Sequence, residues 1–463
     1  MKHIIVIMLT LILVHKADAN SKDVSLAEVL GMVRAYHPRI QQELQILNQA
    51  NANIQSKLGK FDTKLKFQGN FSVNGPYSGD YYKGTIEQPF PIGGLTAFGG
   101  YRQSIDTFPV YEGDLVTLDG GEMFAGLDWS LMEFFALDSR RLEVIKAEWM
   151  KNIQTENTKM SILYMQEIAA KAFFAWKAAL NIKDVYQRLF DLASQRQKAL
   201  EDRANHGDIA KFYVLENRRY ILERKRQLIE ASQNVAVFQN AMRVFLRNSD
   251  GSMFLTESAQ LKPHSENENV AIVPLLNKDI ILRQYPKLRA IDSKREIIFR
   301  EIRNLRVNRF PNIRMGAVYK EDFGTGPSTL MGSEVDVHGM LEFPIQNREA
   351  KAAVVKAESK LKELKYEYQL EKDTLELSID QLDIKMPLTK NLIDNLVTEV
   401  EVAKELAAGE KQKWNNGDSD YVLVNIREQD ATKAEIEKLK AQLNYEKLWS
   451  EAMHLSMKFD SLL

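Results

Sequence analysis

Apolar and polar residues alternate along residues 64–74, KLKFQGNFSVN. Every even position of this segment is polar, and the odd positions hold Leu65, Phe67, Gly69, Phe71 and Val73. Successive side chains of a β-strand point to opposite faces, so this spacing predicts a strand with one apolar face and one wet face. Such a strand fits half of a soluble sandwich or the wall of a membrane barrel, and this segment alone leaves both open.

Two later segments alternate in the same way. Residues 334–343, EVDVHGMLEF, place apolar residues and a glycine on the odd positions, and the spacing from Ile313 to Tyr319 is similar. Strands of about ten residues with one apolar face, one charged face and aromatic residues near their ends are typical of outer-membrane barrels. The sequence therefore predicts barrel strands at about 62–130 and 311–344. The side chains expected to face a barrel lumen are Lys64, Lys66, Gln68, Asn70, Glu334, Asp336 and His338.

Long helices account for most of the remaining chain. No proline occurs between Pro109 and Pro263, and the region is rich in the best helix formers. A helix from about residue 132 to a turn at 205–208 would have roughly 70–75 residues and a length of about 105–110 Å. Apolar residues recur at the spacing of a coiled-coil seam. They are Ile182, Val185, Leu189 and Leu192 in one region, and Leu361, Leu364, Tyr368, Leu375 and Leu382 in another.

Two similar turns interrupt the helices, at Asn205-His206-Gly207-Asp208 and at Asn415-Asn416-Gly417-Asp418. Glycine tolerates the left-handed conformation that ends many helices, and aspartate is a common N-cap. We therefore expect helical hairpins with their tips at these turns, Asp208 and Asp418 capping the helices that follow.

The two halves of the chain have similar sequences. Residues 33–71 align with 281–319, and His37-Pro38 falls on Tyr285-Pro286. Two later matches share an offset of 210 residues, one of them the pair of glycine turns. We interpret the chain as two tandem repeats, 20–247 and 279–463, joined by a polar linker at 248–278. Each repeat is expected to contain a helix, barrel strands and a long helical hairpin.

The N-terminus predicts the cellular compartment of the protein, and the composition excludes several kinds of site and partner. Lys2 and His3 precede an apolar run, and Ala17-Asp18-Ala19 offers small residues to a signal peptidase, so residues 1–19 are predicted to be a secretory signal peptide. The 62 basic and 63 acidic side chains nearly cancel, which gives no support for a nucleic-acid partner. There is no cysteine, so disulfides, thiolate metal sites and cysteine nucleophiles are excluded.

Together these features resemble the TolC-like outer-membrane efflux protein family. The resemblance rests on the signal peptide, on the duplicated order of elements, and on LEFPIQNREAKAAVVKAE (341–358) and NNGDSDYVLVN (415–425). It implies a homotrimer in a Gram-negative outer membrane, in which each chain gives about four main strands to a β-barrel of about twelve. Below the barrel, an α-helical barrel would cross the periplasm. Its tips at Gly207, Asp208, Gly417 and Asp418 would meet a periplasmic adaptor protein of an inner-membrane transporter.

The chain also departs from this pattern. The β region of the first repeat is longer than that of the second, so extra or extended strands are expected there, and Pro387 is expected to interrupt and kink the second long helix. Many members of the family carry carboxylates after the tip glycine that narrow the tunnel. Asp418 and Asp420 are the nearest candidates for such a constriction here. The alternative is that Asp418 caps a helix and Asp420 is a solvated first-turn residue.

Catalytic chemistry is not indicated. The seven histidines include no pair at metal-ligand spacing, and the glycine-rich GGLTAFGG lacks the residues of a phosphate-binding loop, so no enzyme activity, cofactor or metal is expected. The leading hypothesis is a passive outer-membrane exit duct of a tripartite efflux or type I secretion system. The alternative is a periplasmic adaptor, a binding module that also combines a helical hairpin with β domains.

Overall fold

A computed structural model describes residues 22–75, 77–105, 107–109, 113, 115–135, 138–253, 259–261 and 276–462. The predicted signal peptide and most of the predicted linker lie outside these residues. The helices are α1 Leu26–Tyr36, α2 Pro38–Leu58, α3 Leu131–Phe135, α4 Ser139–Asn205, α5 Lys211–Met242, α6 Lys278–Gln284, α7 Pro286–Val307, α8 Arg348–Asn416 and α9 Tyr421–Leu455. The strands are β1 Lys22–Val24, β2 Lys64–Asn70, β3 Asp80–Pro89, β4 Leu95–Ile105, β5 Glu122–Ser130, β6 Ala259–Leu261, β7 Asn312–Asp322 and β8 Ser333–Glu342.

The two long helices are confirmed. α4 has 67 residues and α8 has 69, so each is about 100 Å long. α4 begins at Ser139 rather than near 132, because the short α3 precedes it as a separate helix. α8 is helical throughout and includes Pro387, so this proline does not end the helix, and the kink expected there stays a prediction.

The same order of elements occurs in both halves. α1 ends immediately before His37-Pro38 and α6 ends immediately before Tyr285-Pro286, and in each case the proline starts the next helix. Proline lacks a backbone N–H and disfavours the helical conformation of the residue before it, which explains both breaks. Strands of the six-stranded sheet, a long helix, a glycine turn and a final helix then follow in each half, as the duplicated sequence leads one to expect.

Six strands form one antiparallel sheet in the order β2-β3-β4-β5-β7-β8. The expected four main strands are therefore too few. The additional strands belong to the first half, where the sequence had indicated a longer β region. A second sheet, which the sequence analysis missed, pairs β1, at the start of the first repeat, in parallel with β6, which lies in the predicted linker.

The chain divides into two compact units. One contains the described residues within 1–41, 162–276 and 379–463, and its core includes Trp176, Phe174 and Trp449, with the Phe174 and Trp449 rings 5.9 Å apart. The other contains the described residues within 42–161 and 277–378, and so includes the whole six-stranded sheet. Its buried residues Leu288 and Leu364 lie on α7 and α8.

Candidate functional site

The six-stranded sheet has one continuous apolar face. The register pairs Phe67 with Gly84, Leu127 with Ala97 and Ala317, and Ala317 with Val337, so the apolar positions of neighbouring strands lie side by side. These side chains stay exposed, to 80% for Phe67 and 71% for Val337. The large exposed side chains of this face are Leu65, Phe67, Tyr82, Ile86, Tyr101, Met123, Leu127, Trp129, Met315, Tyr319, Val335, Val337 and Leu341. An apolar surface of this extent marks an interface with lipid or with another protein.

The opposite face is polar and charged. It carries all seven side chains that the sequence placed in a lumen, because each occupies an even position of β2 or β8. Lys66 forms an ion pair of 2.6 Å with Glu87, and His338 Nε2 lies 3.1 Å from Asp128 Oδ1. Asp336 accepts a hydrogen bond from Lys320. The predicted residues are not all brought together, since β2 and β8 are the two edges of the sheet.

The centre of the polar face holds charged residues that the sequence analysis missed. Arg102 forms an ion pair with the buried Glu122, and Lys83 Nζ lies 4.7 Å from the centre of the Phe124 ring. The alternation of β3, in which Tyr81, Lys83, Thr85 and Glu87 share a face, was a signal that could have found this cluster. Tyr81, Thr85, Glu122 and Phe124 are buried, whereas the apolar face is exposed. The polar face is therefore the more buried of the two faces at the centre of the sheet.

A cavity of about 650 Å³ opens on the polar face near the ends of β5, β7 and β8. Asp128, Glu133, Arg314 and His338 line it together with Ser130. Water and ions can therefore reach the charged groups at this end of the sheet, as expected for the wall of a polar passage.

The two helix tips have the same backbone geometry. Gly207 and Gly417 have φ angles of +82° and +88°. At the first tip Asp208 N donates to Arg203 O at 2.9 Å, and at the second Asp418 N donates to Lys413 O at 2.9 Å. Together with a bond from each glycine N–H to the carbonyl three residues earlier, this is the Schellman motif. Both tips are exposed.

The capping roles expected at the tips need correction. α5 begins at Lys211 after Ala210, which has no capping side chain, so Asp208 does not cap it. α9 is capped by Asp420, whose carboxylate accepts a hydrogen bond of 2.9 Å from Val422 N, and not by Asp418. Both Asp418 and Asp420 are exposed. Neither carboxylate is therefore buried, and their role as a tunnel constriction stays a prediction.

A buried charged cluster near the tips was also missed. Arg196 and Arg224 both bind Glu428, and Arg224 Nη2 donates to Asn425 Oδ1 at 3.1 Å and Arg224 Nη1 to Leu189 O at 3.0 Å. Burial lowers the pKa of Arg224 and Glu428 opposes this shift, but an arginine stays charged near neutral pH. The cluster joins α4, α5 and α9. Glu428 follows both arginines by more than 200 residues, so no local pattern could show the cluster.

Metal and membrane-helix sites are not found. Among the described residues, no group of three or more histidine, aspartate or glutamate side chains could hold a metal ion. Within the same ranges, none of the helices has both the length and the apolar character needed to cross a membrane.

Known structures share this architecture. No protein-family model and no curated protein sequence matches the chain. A structure of CusC, whose report concerns folding and transmembrane channel formation, aligns over 94% of this chain and 92% of its own, with a TM-score of 0.69 and 12% identity. The chain has the TolC-like outer-membrane channel fold.

Two more structures with this fold are outer membrane channels. CmeC from Campylobacter jejuni aligns over 93% of this chain and 85% of its own, with a TM-score of 0.67 and 12% identity. The open state of MtrE from Neisseria gonorrhoeae covers 94% of each chain, with a TM-score of 0.66 and 14% identity. These alignments include nearly the whole TolC-like fold, so the resemblance seen in the sequence is confirmed as a likeness of fold.

Proposed function

We propose that this chain is a passive exit duct in the outer membrane of a Gram-negative bacterium and extends into the periplasm. The observation that carries the proposal is the two-faced sheet, in which a continuous exposed apolar surface backs a charged surface. Water would fill the charged side and hydrocarbon would cover the apolar side. The fold shared with CusC, CmeC and MtrE supports the same function.

The duct would be a homotrimer. A sheet with two open edges cannot close on itself, and each backbone group left unpaired in lipid costs several kcal/mol. Further copies of the same sheet remove this cost by closing a barrel. The long helices α4 and α8 would form the periplasmic tunnel, and neither a cofactor nor an enzymatic step is required for passage.

The helix tips would dock a periplasmic adaptor protein, which connects the duct to an inner-membrane transporter of an efflux or type I secretion system. The exposed turns at Gly207 and Gly417, which share one backbone geometry and are followed by Asp208 and Asp418, support this assignment. The carboxylate of Asp420 would narrow the tunnel only if it faces the tunnel interior. Cation block of single channels in planar bilayers tests this, because Asp420→Ser removes the charge and keeps a capping oxygen. Unchanged block would remove Asp420 from the tunnel.

Charge placed on the two faces of one strand tests the proposed orientation. Lysine at the middle of a lipid-facing strand costs about 2–4 kcal/mol, so Phe67→Lys and Val337→Lys should prevent assembly in the outer membrane. Gln68→Lys and His338→Lys place the same charge one residue away on the polar face and should assemble normally. The measurement is the amount of protein in purified outer membranes. Equal tolerance on both faces, or recovery of the wild type in the soluble periplasm as expected of an adaptor, would refute the duct.

A further inference from the structure

Basic residues collect at one end of β7 and β8, the end at which these strands join α7 and α8. Residues 303–314 and 344–356 contain seven basic side chains and one acidic side chain, Glu349. The basic ones are Arg303, Arg306, Arg309, Arg314, Arg348, Lys351 and Lys356. At the opposite end of the same strands, residues 319–334 contain one basic side chain and three acidic ones. The two ends of this part of the sheet therefore differ in the sign of their charge.

Exposed apolar side chains extend to this basic end. After β8 ends at Glu342, the alternation of the sequence continues through Phe343 and Ile345, which are exposed to 50% and 84%. Phe310, which is 63% exposed, precedes β7. Aromatic and large apolar side chains followed directly by arginine and lysine are typical of a protein surface at the boundary between hydrocarbon and lipid headgroups.

We propose that Arg303, Arg309 and Arg348 bind the phosphate groups of anionic phospholipids in the periplasmic leaflet of the outer membrane. The inference rests on the proposed function as an outer-membrane duct, and adds a class of lipid and a binding site for it. In that function the helices extend into the periplasm, so the end of the sheet at which they begin meets the periplasmic leaflet. A guanidinium group donates paired hydrogen bonds to phosphate oxygens, which suits arginine to this ligand.

One hydrogen bond brings two of these arginines into the same region. Asn347 Nδ2 donates to Arg309 O at 2.7 Å, and so ties the turn between β8 and α8 to the end of α7. Arg348, the first residue of α8, follows Asn347 directly. Asn347 is buried and has φ of +49°, a left-handed conformation that asparagine adopts more readily than most residues. This turn therefore places Arg348 beside the segment that carries Arg309.

The charges of the three arginines are available for a ligand. Arg303, Arg309 and Arg348 are exposed, and none of them forms an ion pair with a carboxylate of the described residues. Arg306 differs from them, because it forms an ion pair of 2.8 Å with Glu358. A group of exposed, uncompensated positive charges raises the local concentration of anions.

The side of α7 that carries Arg303 turns away from the cavity on the polar face. Asn304, Val307 and Asn308 line that cavity. At about 100° per residue, Arg303 and Phe310 share one side of the helix, roughly 100° from the centre of this row. Arg303 lies about 10 Å further from the sheet than Phe310, and a long arginine side chain can cover much of that distance. An exposed aromatic ring and an arginine thus occupy a side of α7 that lies outside the polar cavity.

In the first half of the chain, basic residues at the corresponding helix ends lie beside carboxylates. The ion pairs there join Lys57 to Glu143 at 3.0 Å, Lys146 to Glu301 at 3.3 Å and Arg140 to Asp138 at 3.1 Å. These charges are already compensated within the chain, so they attract an anionic headgroup less strongly. We therefore expect the anionic lipid beside β7 and β8.

Apolar side chains near the arginines favour a lipid over a soluble phosphate. Phe310, Phe343 and Ile345 offer acyl chains an exposed apolar surface close to the charged groups. A free phosphate ion would cover none of this surface. A phosphate group that carries acyl chains is therefore the occupant that suits both the charge and the apolar surface.

A fluorophore on a single introduced cysteine tests the site in reconstituted bilayers, since the chain contains no cysteine of its own. The label is attached at Ile345→Cys, and its quenching by brominated phosphatidylglycerol is compared with its quenching by brominated phosphatidylcholine. Each basic side chain near an anionic lipid surface contributes about 1 kcal/mol, which is about a fivefold change in association. Phosphatidylglycerol should therefore be preferred at least about fivefold at this label. A label at Phe323→Cys, at the opposite end of β7, should show no preference.

Substitutions of the arginines test which groups bind the lipid. Arg303→Gln, Arg309→Gln and Arg348→Gln, combined in one chain, should abolish the preference measured at Ile345→Cys. The corresponding three lysine substitutions retain the charge and should keep most of the preference. Glu349→Gln removes the one acidic side chain among the basic residues and should increase the preference.

Three exposed basic residues of α5 provide the matched control. Arg218→Gln, Lys225→Gln and Arg226→Gln remove the same amount of charge at positions in the other compact unit. This control should leave the lipid preference at Ile345→Cys unchanged, and an equal loss in both combined variants would overturn the site.

The outcomes separate this inference from the proposed function. Equal quenching by the two lipids in a protein that enters the bilayer, or a preference that Glu349→Gln does not raise, overturns the lipid site and leaves the duct intact. Loss of the preference when inorganic phosphate replaces chloride at constant ionic strength overturns the lipid as the occupant and assigns the site to soluble phosphate. A labelled protein that enters no bilayer, although the unmodified chain is folded, overturns the duct and this inference with it.

Discussion

At the scale of single residues, the two helix tips show how one substitution within a repeated turn changes a cap. The turns share a glycine and a following aspartate, but the residue three positions after the glycine is Ala210 in one and Asp420 in the other. Only Asp420 has a side chain that can accept the orphan N–H of the next helix, so of the two helices that follow the tips only α9 has a side-chain N-cap.

Removal of this cap should loosen the start of α9. Asp420→Ala should cost about 0.5–2 kcal/mol, whereas Asp420→Ser, which retains an oxygen for Val422 N, should cost little. Hydrogen exchange of the amides at the start of α9 measures the effect. Asp418→Ala is the matched control, because Asp418 does not provide the cap, and equal exchange in Asp418→Ala and Asp420→Ala would contradict the assignment.

His37 should make stability depend on pH. Burial, with a smaller effect of Arg247, lowers the pKa of His37 below its ordinary value of about 6.5, and its Nδ1 accepts a hydrogen bond of 3.2 Å from Arg39 N. A lowered pKa in the folded state gives stability that is present above the ordinary pKa and is lost as pH falls through the folded-state pKa.

His37→Asn keeps a polar acceptor beside the start of α2 but cannot be protonated in this range. The thermal midpoint of the wild type should therefore fall relative to that of His37→Asn between about pH 7 and pH 5. A difference between the two midpoints that does not change with pH would show that His37 titrates as it does in the unfolded chain.

At the scale of elements, helices and edge strands were easier to predict than the centre of the sheet. The alternation of β2 and β8 is clean, and the structure places their polar and apolar residues on opposite faces as predicted, while the lumen and lipid sides stay a prediction. β4 carries Gly99 and Gly100, which have no side chain to mark a face, and aromatic residues such as Phe98 and Phe124 lie on the polar side. The alternation of apolar and polar residues is therefore weak in the central strands of the first half, which is why the sheet has more strands than expected. The Arg196–Glu428 pair depends on packing between distant helices, which periodicity does not report.

Two glycines of α8 and its turn should respond in opposite ways to alanine. Gly417 has φ of +88°, so Gly417→Ala should destabilise the tip by about 1–2 kcal/mol. Gly409 lies inside α8 with open space around its Cβ position, so Gly409→Ala should stabilise the helix by about 0.5–1 kcal/mol. Denaturant unfolding followed by helical circular dichroism measures both. Effects of the same sign would contradict the helix-end geometry.

At the scale of the whole molecule, one physical requirement connects the parts of the account. The sheet presents apolar side chains on one face and charges on the other, and it has an edge strand on each side. A soluble protein would cover such a surface with its own helices or strands. In the described residues it is left exposed, and in the proposed duct hydrocarbon would cover it and neighbouring copies would complete the wall.

Spin labels at single introduced cysteines measure most directly which solvent meets each face. Each variant carries one label, because the native chain has no cysteine. In outer membranes, labels at Leu65, Phe67, Val335 and Val337 should be relaxed mainly by oxygen, which concentrates in hydrocarbon. Labels at Lys66, Gln68, Asp336 and His338 should be relaxed mainly by a water-soluble nickel complex. Accessibility that does not alternate along the strands, or that alternates in the opposite sense, would contradict a lipid-facing barrel wall.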